Sequence, residues 1–327
     1  MNIGKDKAIP CALLGTLLLA VEVLLTGCVK RELEVRPTSE MGRVELALDW
    51  EGVEERPAEV RFLFYGADGA LAKEQTAHAD GFAGELPAGT YRMVMHNTDA
   101  LQVDYRGMDK HETAEVFARH TEYSRKSFER HEPGIPCILE PQFVYGAGIC
   151  REFATIEVVA GQTTTATIAP RLLTRQLEFR FKVKAKAEVL TLAGVVNGVA
   201  PGVLLASGEH TTSSSCAVEF AASPVTRSTT NDYFTRLSVF NLLCTATSPD
   251  GTNTLQVYLA LDNGYEFDTS IDITPTLRDI IVDNDGEIPI EIPIEVTLDA
   301  TTIGDGLTAT VKPWDDTGTG SGGIETE

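Results

Sequence analysis

Apolar and polar residues alternate with a period of two along most of the chain after residue 43, and this predicts strands rather than helices. Val44, Leu46, Leu48 and Trp50 alternate with Glu45, Ala47 and Asp49. Val60, Phe62 and Phe64 repeat the pattern, and Gly66-Ala67-Asp68-Gly69 supplies a turn. Leu86-Pro87-Ala88-Gly89-Thr90 is a second turn signal, leading into Tyr91, Met93 and Met95. Strand patterns return over 154–159 and 163–168. Short strands with frequent turns predict an antiparallel sandwich.

Between these segments, residues 109–131 change character. Glu112, Glu115, His120, Glu122, Arg125, Lys126, Glu129 and Arg130 form a charged stretch that reads as one surface helix or a long loop. Pro170 and the following Arg-Leu-Leu-Thr read as a join to a second unit. There Leu177, Phe179, Phe181 and Val183 alternate with Arg180, Lys182 and Lys184, giving one apolar and one cationic face. Further strands are expected over 188–196, 216–222, 237–246, 254–261 and 265–273. No sustained 3.6-residue stripe is evident, so this half is expected to be almost wholly β.

The clearest alternation is Ile288, Ile290, Ile292, Ile294, Val296 and Leu298, separated by Glu287, Pro289, Glu291, Pro293 and Glu295. Pro289 and Pro293 are four apart, so their missing N–H groups face one side of a strand. That predicts an edge strand with its proline side open and glutamates deterring accidental pairing. Residues 307–311 predict a last short strand before Pro313 and Trp314. Residues 315–327 are Gly, Thr, Ser and acid, the composition of a disordered tail.

The N-terminus has a different pattern. Lys5 and Lys7 precede an apolar run over 8–25, interrupted by Glu22, that closes on Leu25-Thr26-Gly27-Cys28. This is a lipobox pattern: an aliphatic residue, two small residues and a cysteine able to take a lipid on its sulfur. It predicts a lipoprotein signal peptide over 1–27. An acylated Cys28 and a charged tether over 28–42 would follow. The apolar run is short for a bilayer span, whereas several buried acyl chains, at about 0.8 kcal/mol per CH2, would anchor the chain firmly.

From Cys28 to Glu327 the chain has 300 residues, enough for one large or two ordinary domains. The formal charge is −21, which argues against nucleic acid as a partner. Between Leu237 and Glu327 there are 17 acidic residues against Arg278 and Lys312, a net of −15 that reads as a solubilising face. Four further cysteines permit disulfides in an exported chain, Cys137–Cys150 with Cys216–Cys244 being the most local pairing; buried free thiols are the alternative. No pair has the close spacing of a zinc site.

Catalytic chemistry finds little support. His111-Glu112-Thr113-Ala114-Glu115 has a glutamate where the zinc-protease helix needs its second histidine. The spacings of His111, His120 and His131 match no ligand set. Asp283-Asn284-Asp285-Gly286 resembles the start of a calcium loop, but Ile288 and Ile294 stand where that loop needs Gly and Glu. A hairpin turn is the better account. No G-x-S-x-G or Walker loop occurs, so neither catalytic residues, cofactor nor metal is expected, and the chain reads as a binding or structural protein.

With these residues in view, the chain resembles lipoproteins of the Bacteroides group related to minor fimbrillins, which anchor fimbriae in the outer membrane. The resemblance rests on the lipobox, on Asp49-Trp50, on Phe62-Leu63-Phe64-Tyr65, and on the run from Leu86 through Thr90-Tyr91 to Asn97. It also rests on residues 177–183 followed by Leu192-Ala193-Gly194-Val195-Val196-Asn197-Gly198, and on the closing Val311-Lys312-Pro313-Trp314. It implies an all-β fold of two tandem transthyretin-like antiparallel β-sandwich domains, here over 43–170 and 171–314, with the charged segment as an insertion in the first. It further implies an outer-membrane, cell-surface protein serving in fimbrial anchoring, assembly or adhesion. In shaft subunits of such systems an Arg-specific protease removes the first strand, and a neighbour's terminal strand fills the groove by strand addition. An anchor is expected to keep its first strand, since losing it would cut the lipid tether. Residues 315–327 lack the alternating apolar residues of a donor strand. The alternative is an outer-membrane glycan-binding lipoprotein assisting nutrient uptake, although aromatics are only 7% of the chain, with two tryptophans, Trp50 and Trp314.

Overall fold

The period-two segments are strands in the computed structural model of the chain, which describes residues 40–53, 55–126, 128, 133–147, 155–210, 215–225, 231–244, 251–284, 288–301 and 306–314. The first are β1 (Met41–Leu48), β2 (Glu59–Tyr65), β3 (Leu71–His78), β4 (Gly81–Pro87), β5 (Gly89–Asn97) and β6 (Val103–Arg106). Next come β7 (Glu115–Ala118), β8 (His120–Thr121), β9 (Cys137–Ile138), β10 (Tyr145–Ala147), β11 (Ile156–Val158) and β12 (Thr163–Ile168). The chain continues through β13 (Arg171–Leu172), β14 (Arg175–Lys184), β15 (Val189–Val199), β16 (Gly202–Leu204), β17 (Cys216–Ala221) and β18 (Ser223–Pro224). It closes with β19 (Asp232–Val239), β20 (Thr254–Leu261), β21 (Glu266–Asp272), helix α1 (Thr274–Asp283), β22 (Glu291–Asp299) and β23 (Thr308–Pro313).

In the first sandwich the sheet β12-β1-β4 faces the sheet β13-β10-β5-β2-β3. Val44, Leu46 and Phe82 from one layer meet Phe62, Phe64, Met93 and Met95 from the other. In the second sandwich β18-β19-β14-β22-β23 faces β21-β20-β15-β17-β9-β8. Its core contains Leu177, Phe179 and Phe181 from β14 with Ile294 from β22, packed against Val196, Val218, Phe220 and Val257. Phe220 stacks on Phe179 and Phe181 with ring centroids 5.8 and 5.7 Å apart. The protein is therefore an all-β sandwich fold, as its alternation predicts.

The described residues from Met41 to Trp314 form one compact unit, and the reason is visible in β2 and β5. Phe62 and Phe64 point into the first core, but Leu63, Tyr65 and Val94 point the other way, into the core that holds Leu177 and Phe179. That sheet is buried on both faces, which is why Phe62-Leu63-Phe64-Tyr65 is continuously apolar rather than alternating.

The charged stretch over 109–131 is neither one surface helix nor a long loop. It contains β7 and β8; β7 pairs with β6 and β16 in a small sheet, and β8 pairs with β9, which lies parallel to β17. The alternation hidden there is short, because each strand has only two to four residues. Val116 and Ala118 are buried, and Glu115 is buried against Arg106 at 2.6 Å.

Three expectations for the second half need correction. First, it contains α1. Ile273, Leu277 and Ile281 recur four apart and are buried, a stripe too brief to register as sustained periodicity. Pro275 sits in the first turn, where its missing N–H costs nothing. Second, Asp283 ends this helix and Asn284 caps it, so the first half of the expected hairpin turn closes a helix instead of a strand; residues 285–287 lie outside the described residues. Third, β22 is not an edge strand, because β14 pairs with it in parallel and β23 antiparallel. Pro293 lies just upstream of the β23 pairing, which begins at Ile294, and only the carbonyl of Pro293 is used there, accepting from the Trp314 amide at 3.2 Å. In addition, the strand expected over 237–246 is β19 (Asp232–Val239); residues 240–244 lie outside it and 245–246 outside the described residues.

Candidate functional site

The strand on which an anchoring role turns is β1, the first in the fold. Val44, Leu46 and Leu48 point into the first core and are buried, while Arg43, Glu45 and Ala47 point outward. Met41 to Ala47 pair antiparallel with Pro87 to Gly81 of β4, and Arg43 to Leu48 pair in parallel with Thr163 to Ile168 of β12. Both lateral sides of β1 are therefore hydrogen-bonded. Burying its three aliphatic side chains contributes about 6 kcal/mol, at roughly 2 kcal/mol each.

Two glycines let the strand lie this close. A β-carbon at Gly81 would overlap the Leu46 carbonyl, and one at Gly42 would overlap the Val159 carbonyl. Gly81 also has φ +145°, a conformation that side chains disfavour. The slot that β1 fills is thus shaped for a strand at this depth. It is floored by Phe62, Phe64, Phe82, Met93 and Met95.

The described sheets end in free strands: β12 and β4, β3, β21 and β23 each pair on one side only. Most show half-exposed alternation, and β21 carries Glu266, Asp268 and Asp272 outward, charges that deter adventitious pairing. The cationic face read from Arg180, Lys182 and Lys184 is largely neutralised by neighbouring strands. Arg180 meets Asp232 at 3.1 Å, Lys182 and Lys312 meet Glu295 at 2.6 and 3.2 Å, and Arg236 pairs with Glu178. Burial acts to raise the Glu295 carboxyl, but the two lysines outweigh it and hold it below its usual value.

The other residues singled out by the sequence are scattered. Cys28 and the lipobox, Cys150, His131 and the 315–327 tail lie outside the described residues. Cys137, Cys216 and Cys244 are buried free thiols, so no bond joins Cys216 to Cys244 here. Burial pushes Cys137 up to about 12, helped by Glu219, and pushes Cys216 and Cys244 up to about 11. His111 lies edge-on to Tyr65 and near Arg92, whereas His120 is exposed on β8. Among the described residues no three His, Cys, Asp or Glu side chains converge as a metal site. Trp50 is partly buried on the first core and donates to the Ala79 carbonyl at 2.6 Å.

Sequence reasoning missed Asn97. It is fully buried at the end of β5 and holds two loops at once. Its amide nitrogen donates to Asp99 and to the Phe143 carbonyl, both at 2.7 Å, and its amide oxygen accepts from the Tyr145 amide at 2.8 Å. An Asn at a strand end carries no periodic signal; only the arrival of 143–145 from far along the chain gives it this task.

Comparison with known proteins places this geometry. The model of a family described as a domain of unknown function, DUF5119, matches residues 27–221. A protein of Bacteroides ovatus named "Putative fimbrium anchoring subunit Fim4B" is 33% identical over 103 residues, 31% of this chain and 30% of that protein. The match thus spans less than a third of that relative's length. Among solved structures, one described as a putative adhesin from Bacteroides ovatus shares 19% identity and a TM-score of 0.56, over 77% of this chain and 89% of that one. The fimbrial anchor protein Mfa2 from Porphyromonas gingivalis gives 11% identity and a TM-score of 0.50, over 83% and 97%.

Proposed function

The chain belongs to the DUF5119 family, and from that premise we propose that it is a fimbrillin-like anchor or adhesion protein of the cell envelope, non-catalytic and tied to the outer membrane through an acylated Cys28. The observation that carries this reading is the position of β1. It is a central strand, paired on both sides and buried along one face. A protein held by its N-terminus must keep that strand, because every load on the tether passes through it into the sandwich. The lipobox thirteen residues upstream of Met41 supplies the tether, and the similarity to an anchoring subunit supports the same role.

Partners would be fimbrial subunits, joined by strand addition at one of the free sheet edges. The test is Cys28→Ser followed by cell fractionation and imaging of surface fibres. The expected result is loss of the protein from the outer-membrane fraction and fibres shed into the medium. Unchanged membrane association together with unchanged fibres contradicts the proposal.

A further inference from the structure

Among the described residues only two non-glycine residues have positive φ, Gln102 at 62° and Phe143 at 53°. They lie in loops that pair with each other: Leu101 and Gln142 exchange amide–carbonyl hydrogen bonds, both 3.2 Å. Asn97 clamps the same loops from below, as described above. A bulky aromatic residue in the left-handed region is strained. Burial does not compensate, because Phe143 is 45% exposed and Leu101 51%. The surroundings enforce a costly backbone in order to present an aromatic ring to solvent.

That ring borders a cleft of about 110 Å3, lined also by Glu55, Arg56, Pro57, Asp99 and Tyr145. Arg56 reaches out of the cleft to pair with Asp80, and Asp80 lines a second, larger depression of about 630 Å3. This trough crosses the outer face of β12-β1-β4. Its outward residues are small or hydroxylated: Ala83, Glu45 and Thr165 in one row, Gly81, Ala47 and Thr167 in the next. The small side chains leave it shallow and open to solvent.

We propose that cleft and trough together bind an uncharged glycan chain, one sugar ring packing its C–H face on Phe143 and the following residues lying along the trough. The negative face of an aromatic ring attracts polarised C–H groups. The carboxylates of Glu45, Glu55, Asp80 and Asp99 and the hydroxyls of Thr165 and Thr167 offer hydrogen-bond partners for sugar hydroxyls. The four carboxylates outnumber Arg43 and Arg56, which disfavours uronate or sulfated polymers. A protein partner is disfavoured because Leu46 and Phe82, the large apolar residues along the trough, are already buried in the core. The site lies at the Leu48 end of β1, away from the end at which the chain enters from the N-terminal side.

The experiment applies the detergent-solubilised full chain to an array of uncharged hexose, pentose and N-acetylhexosamine oligosaccharides beside uronate and sulfated glycans. Phe143→Gly removes the ring and suits the left-handed backbone, so the thermal midpoint should not fall. Binding to uncharged glycans is expected, weakened at least tenfold in Phe143→Gly. The double variant T165A/T167A should weaken binding of longer chains more than of single sugars. Binding of no uncharged glycan, binding of acidic glycans only, or full binding by Phe143→Gly overturns the proposal. So does loss of fibre attachment in these variants without any change in glycan binding.

Discussion

His96 is where side-chain chemistry meets stability most directly. It is buried, stacked on Tyr105 at 4.2 Å, with Nδ1 2.8 Å from the Asn97 carbonyl and Nε2 without a partner. Burial lowers its pKa from 6.5 to about 4, and the Arg61 charge adds to this. Between these values the unfolded chain binds a proton that the folded chain refuses. Stability therefore falls as pH drops from about 6.5 to about 4 and levels off below, a loss of about 3 kcal/mol from this residue. Urea unfolding of the protein and of His96→Gln should show their gap closing over that window. Asn97→Ala should cost about 3 kcal/mol, because it removes three hydrogen bonds at the junction of two loops; a shifted guanidinium midpoint at constant slope is the measurement. Cys137, Cys216 and Cys244 should resist maleimide in the native protein and react on unfolding, as peptide mass spectrometry would report.

At the level of elements, alternation was a reliable guide wherever a strand has one wet face. The segment at 163–168, exposed at every second residue, coincides with β12; 254–261 coincides with β20 although residues 255–259 are all buried. The guide weakened where both faces are buried, as at Phe62–Tyr65, and where strands are very short, as in β7 and β8. It was silent for α1, whose three-residue stripe lies between polar positions. Pro289 lies outside β22 and only Pro293 falls within it, and a neighbour pairs from the next residue onward, so the two prolines do not mark an edge. For β1 the prediction concerns packing. Leu46→Ala should cost about 2–5 kcal/mol, and Gly81→Ala should cost about 3 kcal/mol by forcing β1 outward. Thermal denaturation compares both, and an unchanged midpoint for Gly81→Ala would contradict the close approach described.

For the whole molecule, the decisive fact is a shared core. Leu63, Val94 and Val116 pack in the same cluster as Leu177, Val196 and Ile294. β7 and β9 from the first half pair with β16 and β17 of the second. The described residues should therefore unfold in one calorimetric transition. A fragment ending near residue 170 should expose Val116 and Leu63 and fail to give a native-like near-ultraviolet spectrum. Two separate transitions would show that each sandwich is stable alone.

Local physics alone determined a good deal. Period-two alternation specified a mainly β chain, and Gly66-Ala67-Asp68-Gly69 specified the turn between β2 and β3. These follow from interactions within a few residues, which a sequence displays directly. Only the tertiary structure decided that β1 lies between β4 and β12, that the charged segment joins the two sandwiches, and that Asn97 holds Phe143 in a strained, exposed pose. Each depends on partners that meet across distances of tens to over a hundred residues. No local pattern encodes such pairings, because their energy comes from burial and hydrogen bonds that exist only after the chain has folded.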